Sequence, residues 1–90
     1  MAADVVYEDN NIIAFKDIYP KAPVHILIVP KKHIESVNYV EEEDKDLMGE
    51  LILVAKKIAQ EKELKGYKLS INVGRDGGQI VDHLHLHLLS

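Results

Sequence analysis

The chain has no cysteine, which rules out disulfide cross-links and thiolate sites, whether zinc or redox. Long apolar runs are missing too. Even Ile26 to Val29 and Leu51 to Ala55 fall far short of the roughly 20 residues that a membrane-spanning helix needs. Positive charge is scarce: 11 Lys and Arg stand against 15 Asp and Glu, a net charge of −4 with no basic stripe. That balance argues against general nucleic-acid binding, although a small anionic ligand needs only a few local donors. The start, Met1-Ala2-Ala3-Asp4, has neither a basic stretch nor an apolar segment. No signal peptide is read there, and a cytoplasmic protein that stays off membranes is expected. At 90 residues the chain is one domain, burying about 60–65% of the surface its unfolded form exposes. A bound ligand or oligomerisation is expected to add stability.

What the sequence does carry is concentrated at its end. In His83-Leu84-His85-Leu86-His87-Leu88-Leu89-Ser90 three histidines alternate with three leucines. Successive side chains of a β-strand point to opposite faces, so the period of two places His83, His85 and His87 in a row on one face. Leu84, Leu86 and Leu88 line the other. A half-exposed strand that merely happens to be histidine-rich is one reading, but histidine is not a favoured strand residue. A zinc site built on His25, His83 and His85 is the second. Nucleophilic catalysis, in which the central imidazole attacks and its neighbours manage protons, is the third.

In chain order, Val5-Val6-Tyr7 and Ile12 to Phe15 read as strands joined by a polar hairpin. Two prolines punctuate the loop from Asp17 to Pro23. Val24 to Val29 reads as a central strand buried on both faces apart from His25. Lys31-Lys32-His33 reads as a basic surface corner with a solvated His33. The acid run Glu41-Glu42-Glu43-Asp44 suits a helix N-terminus better than a metal or acid–base site. Leu47, Leu51, Val54, Ala55, Ile58 and Leu64 make the apolar stripe of a helix over 44–64, with Gly66 as its stop. Tyr67 to Val73 is a fourth strand. The glycine-rich loop Gly74-Arg75-Asp76-Gly77-Gly78-Gln79 serves either as a connection or as a cradle of N–H groups for an anion. Asp82 falls on the leucine side by parity, where a carboxylate needs a basic partner or a frayed position. No β-α-β repeat occurs, so the prediction is an α+β fold: a five-stranded antiparallel meander with one long helix packed on it.

These residues resemble the histidine triad (HIT) family. His83 to Leu89 is similar to its His-x-His-x-His signature. Ala14-Phe15-Lys16-Asp17-Ile18-Tyr19-Pro20, Ala22-Pro23-Val24-His25, Ile28 to His33, Gly66-Tyr67, Asn72 and Asp76-Gly77-Gly78-Gln79 resemble its Hint branch in order and spacing. The resemblance implies a homodimeric, purine nucleotide-binding hydrolase that cleaves nucleoside 5′-phosphoramidates through a nucleotidyl-histidine intermediate, with no cofactor and no metal. A nucleotide-binding or scaffolding homodimer with little catalysis is the alternative. His85 would be the nucleophile and His87 the donor to the leaving amine, while His83 and His25 orient and charge the cluster. Asn72, His87 and the backbone of Gly78, Gln79 and Ile80 would hold the α-phosphate of an AMP-like ligand. Asp17 would accept from the ribose hydroxyls, with Ile18 against the base and Phe15 nearer the core. The helix and the strand Lys68 to Asn72 would pair two copies. Ile80 stands where Hint-like chains often have Ser or Thr. Residues 1–90 read as a single HIT domain, without the Cys-x-x-Cys segment that often precedes it and the Gly-Gly tail that follows.

Overall fold

The computed structural model describes residues 4–90, so the leader-free reading of the first residues lies mostly outside it. The elements are β1 (Val5–Glu8), β2 (Ile12–Lys16), β3 (His25–Pro30), α1 (Lys45–Glu61), β4 (Lys68–Ser70) and β5 (Leu86–Leu89). All strand pairs are antiparallel and the sheet order is β1-β2-β3-β5-β4. The meander runs through β1, β2 and β3. The chain then passes through α1 to the far edge, and β5 inserts between β3 and β4.

Local chemistry explains the turns. Asp9 Oδ1 accepts the N–H groups of Asn11 and Ile12 at 2.7 and 2.8 Å, which closes the first hairpin. Alternation then chooses the face. Ile12 and Ala14 of β2, Ile26 and Ile28 of β3, and Leu84, Leu86 and Leu88 at the histidine end are all buried. They pack against Leu51, Val54, Ala55 and Ile58 of α1 in one core. Each large aliphatic side chain there contributes on the order of 2 kcal/mol of burial.

Several details differ from the sequence reading. β3 buries one face; Leu27 and Val29 on the other are half-buried, and His25, the exception expected within this strand, is 5% exposed. The last strand is shorter than its pattern. β3 ends at Pro30, and residues 83–85 meet the segment that follows through single bonds, such as Leu84 N–H to the Ile34 carbonyl at 2.7 Å. β4 spans three residues, not seven. Asp44 is buried and receives Lys32 Nζ, while its other oxygen accepts the Glu41 N–H at 3.0 Å. The Lys32 ammonium holds this carboxyl below its ordinary value. Helix α1 stops before Gly66: Glu63 takes the left-handed conformation at φ 55° and Leu64 N–H bonds the Ala59 carbonyl at 2.9 Å. That pattern is the 6→1 bond of a Schellman cap, made without glycine.

Candidate active site

Paired residues on antiparallel neighbours share a face. The registers Val5↔Phe15, Phe15↔Leu27, Leu27↔His87 and Ser70↔His87 therefore make one row across all five strands, on the side away from α1. His25 begins β3 on the same side, two residues before Leu27.

Three imidazoles and one carboxylate meet there. The Lys21 backbone N–H, which can only donate, bonds His25 Nδ1 at 3.1 Å. The His25 proton therefore sits on Nε2, which lies 2.9 Å from His87 Nδ1 and 3.5 Å from Asp17 Oδ2. His87 Nδ1 accepts, so the proton of neutral His87 is on Nε2. Burial, and then the charges His85 and His25 would carry, hold His87 below the usual imidazole value of 6.5, with the Asp17 carboxylate opposing them. Asp17 Oδ1 also accepts the Tyr19 N–H at 2.9 Å.

His85 is held the opposite way round. Its Nδ1 lies 2.8 Å from the His83 carbonyl, which can only accept. Nδ1 thus carries the proton and Nε2 keeps its lone pair, the form a nucleophile needs. The His85 and His87 rings stand 4.8 Å apart between centroids at 65°. The His83 side chain turns elsewhere: Nε2–H donates to the Pro30 carbonyl at 2.8 Å, and Nδ1 lies 3.2 Å from His33 Nδ1. His33, read as a solvated loop residue, is exposed but has this partner. His83 orients His85 by its carbonyl, a role its side chain does not suggest.

The glycine-rich loop is built around Gln79, which is 3% exposed. Its Oε1 accepts the Gly74 N–H at 2.9 Å; its Nε2 donates to the Glu35 and Val81 carbonyls at 2.7 and 2.8 Å. Asn72, two residues beyond the partner of His87, donates to the Gly77 carbonyl at 2.8 Å. Gly78 has φ 88°, and a Cβ there would lie 3.2 Å from Asn72 Nδ2, so any other residue would be strained and crowded. The N–H groups of Gly78 and Gln79 are used inside the loop, on the carbonyls of Arg75 and Gly74 at 3.0 and 2.9 Å. Among the described residues the Ile80 N–H has no acceptor. Asp82 is paired with Arg75 at 3.0 Å in solvent. Ile18 is 56% exposed beside Asp17, and Phe15 is half-buried in the cross-sheet row.

The zinc reading joined His25, His83 and His85, and the structure separates them into different pairs. The ligand atoms that do converge, within 4.8 Å, belong to Asp17, His25 and His87. This set suits an ion poorly. Freeing His25 Nε2 for a metal would move its proton to Nδ1, facing the Lys21 N–H donor. Sequence reasoning missed Leu27, the Lys21 amide and the His83 carbonyl. Counting parity from His25 identifies Leu27, but no side-chain pattern reports a backbone partner.

Imidazoles with opposed tautomers therefore gather on the open face of this sheet, a candidate histidine-centred site. The chain belongs to the HIT domain family, whose model matches residues 1–90. It is 49% identical over 88 residues to an uncharacterized HIT-like protein of Synechococcus elongatus, covering 97% of this chain and 77% of that one. A crystal structure of a HIT family hydrolase from Legionella pneumophila superposes with TM-score 0.97 at 51% identity, covering 100% of this chain and 82% of that one. A histidine triad nucleotide-binding protein from Candida albicans is similar at TM-score 0.87 and 30% identity, over 98% and 65% of the two chains.

Proposed function

We propose that the chain is a purine nucleotide-binding hydrolase that cleaves nucleoside 5′-phosphoramidates at the P–N bond through a nucleotidyl-histidine intermediate. The hydrogen bond from His85 Nδ1 to the His83 carbonyl carries this reading, because it leaves Nε2 free to attack. His85 Nε2 bonds the α-phosphorus as the amine departs. The departing nitrogen needs one proton. His87 Nε2 donates it from the imidazolium form, which burial and the neighbouring imidazoles disfavour and the Asp17 carboxylate favours. Water then attacks phosphorus and gives a proton to His87 Nε2, as the P–N bond to His85 breaks to release the nucleoside monophosphate and restore both histidines. Imidazole and amide donors stabilise the developing charge, so no cofactor is invoked.

Asn72 and the Ile80 N–H hold the α-phosphate in this scheme, and Gly78 and Gln79 shape the loop that presents them. Ile18, Phe15 and Leu27 form the apolar wall for the base, and Asp17 faces the ribose. The structural relative named as nucleotide-binding supports a nucleotide ligand. A homodimer through α1 and β4 completes the reading: Ile52 and Leu53 are 47% and 64% exposed on α1, and β4 is an open edge.

Single-turnover cleavage of a fluorogenic adenosine phosphoramidate tests the assignment. His85→Ala is expected to lose at least about a thousandfold in rate; full turnover by that variant would refute it. A nucleotide-binding homodimer with little catalysis is the second reading. It is favoured by Ile80, which is 83% exposed and offers a leaving group no hydroxyl. Adenosine monophosphate binding by the wild type with no cleavage would select it.

A further inference from the structure

Arg75 spans the whole phosphate loop from outside. Its Nη1 donates to the Gln79 carbonyl at 2.6 Å and to the Ile80 carbonyl at 3.0 Å. Its Nη2 meets the two carboxylate oxygens of Asp82 at 3.1 and 3.0 Å. The planar guanidinium fork makes these contacts together, which a single ammonium does not.

The Gln79 carbonyl and the Ile80 N–H belong to one peptide group. In a planar trans peptide they point in opposite directions. Holding that carbonyl on Arg75 therefore turns the Ile80 N–H away from the guanidinium, and the cationic contact polarises the peptide so that its N–H donates more strongly. Ile80 N–H is also among the loop donors with no acceptor in the described residues, whereas Gly78 and Gln79 spend theirs on Arg75 and Gly74 carbonyls. Packing does not fix this peptide, because the Ile80 and Val81 side chains are 83% and 60% exposed. Gln79 and Asn72 anchor the inner side of the loop, and Arg75 is the outer contact on the peptide that bears the Ile80 donor.

We infer that Arg75 is a positioning residue: clamped by Asp82 and bonded to the Gln79 and Ile80 carbonyls, it aims the Ile80 N–H at the α-phosphate. The inference rests on the nucleotide-hydrolase reading and adds to it a residue that never touches the ligand. The Arg75 and Asp82 side chains are 63% and 61% exposed, so their pair contributes little to stability and the variants fold.

The test uses the full chain as wild type, Arg75→Met, Arg75→Lys and Asp82→Asn. Adenosine monophosphate affinity is measured by calorimetry, and the Ile80 and Val81 amide order parameters by ¹⁵N relaxation without ligand. Arg75→Met is expected to weaken binding roughly 5- to 10-fold and to lower the Ile80 order parameter from about 0.85 towards 0.6. Arg75→Lys should fail to rescue either, and Asp82→Asn should weaken binding about 2- to 3-fold by loosening the clamp. An unchanged order parameter in Arg75→Met overturns the inference. So does full rescue by lysine or tighter binding in Asp82→Asn, since both would mean that Arg75 acts by its charge on the ligand. A wild type that binds no nucleotide sinks the hydrolase reading and the phosphate target with it. A wild type that binds no better than Arg75→Met sinks the Arg75 inference alone.

Discussion

A backbone amide only donates and a backbone carbonyl only accepts, and the site imidazoles inherit their tautomers from that asymmetry. Lys21 N–H makes His25 a donor through Nε2, His25 makes His87 an acceptor through Nδ1, and the His83 carbonyl makes His85 a base through Nε2. Burial, with its neighbours' charges, holds His87 below 6.5, so its ¹⁵N-detected titration midpoint should fall under that value in the free protein. A midpoint above 6.5 would contradict the burial argument. The stability sign follows: between the folded midpoint and about 6.5 the unfolded chain binds more protons, so His87 lowers stability as pH falls through that window. Its proposed duty also has a kinetic signature. His87→Asn is expected to slow release of an alkylamine by roughly 10²- to 10⁴-fold. A phenolate leaving group, which departs without a proton, should lose far less. Equal losses for both substrates would remove His87 from the proton transfer.

The elements show which signals a sequence carries. Period-two alternation predicts the core face of the histidine segment, and Leu84, Leu86 and Leu88 are buried as it requires. The ladder itself stops at Leu86 because β3 ends at Pro30, a proline that offers no N–H. Glycine was the obvious stop for α1, yet the cap forms at Glu63, because Leu64 places its N–H on the Ala59 carbonyl. A glutamate at φ 55° carries a left-handed penalty of about 1–2 kcal/mol. Glu63→Gly should therefore stabilise the chain by roughly 0.5–1 kcal/mol after glycine's extra entropy is counted. Urea unfolding measures it, and a destabilised Glu63→Gly would mean that the side chain itself holds the cap.

Across the whole molecule, the fold brings Phe15, Leu27, His87 and Ser70 into one line, and with them residues far apart in the chain. Fold class and the histidine row were accessible from local pattern. The tautomer chain was not, since His25 and His87 lie 62 residues apart and two of the deciding partners are backbone groups. The open β4 edge and the exposed Ile52 and Leu53 lead to a further expectation. Sedimentation equilibrium should find a dimer, and Leu53→Asp should shift it towards monomer by burying an unpaired charge. A monomeric wild type at micromolar concentration would refute the pairing.

In the proposed reaction His85 Nε2 bonds phosphorus. Wild type mixed with an adenosine phosphoramidate, quenched in acid or base and digested for mass spectrometry, reads that bond out. An adenylyl adduct on His85 that forms and decays within the turnover time is expected. An adduct on His87, or steady turnover with no adduct at any quench time, would contradict it.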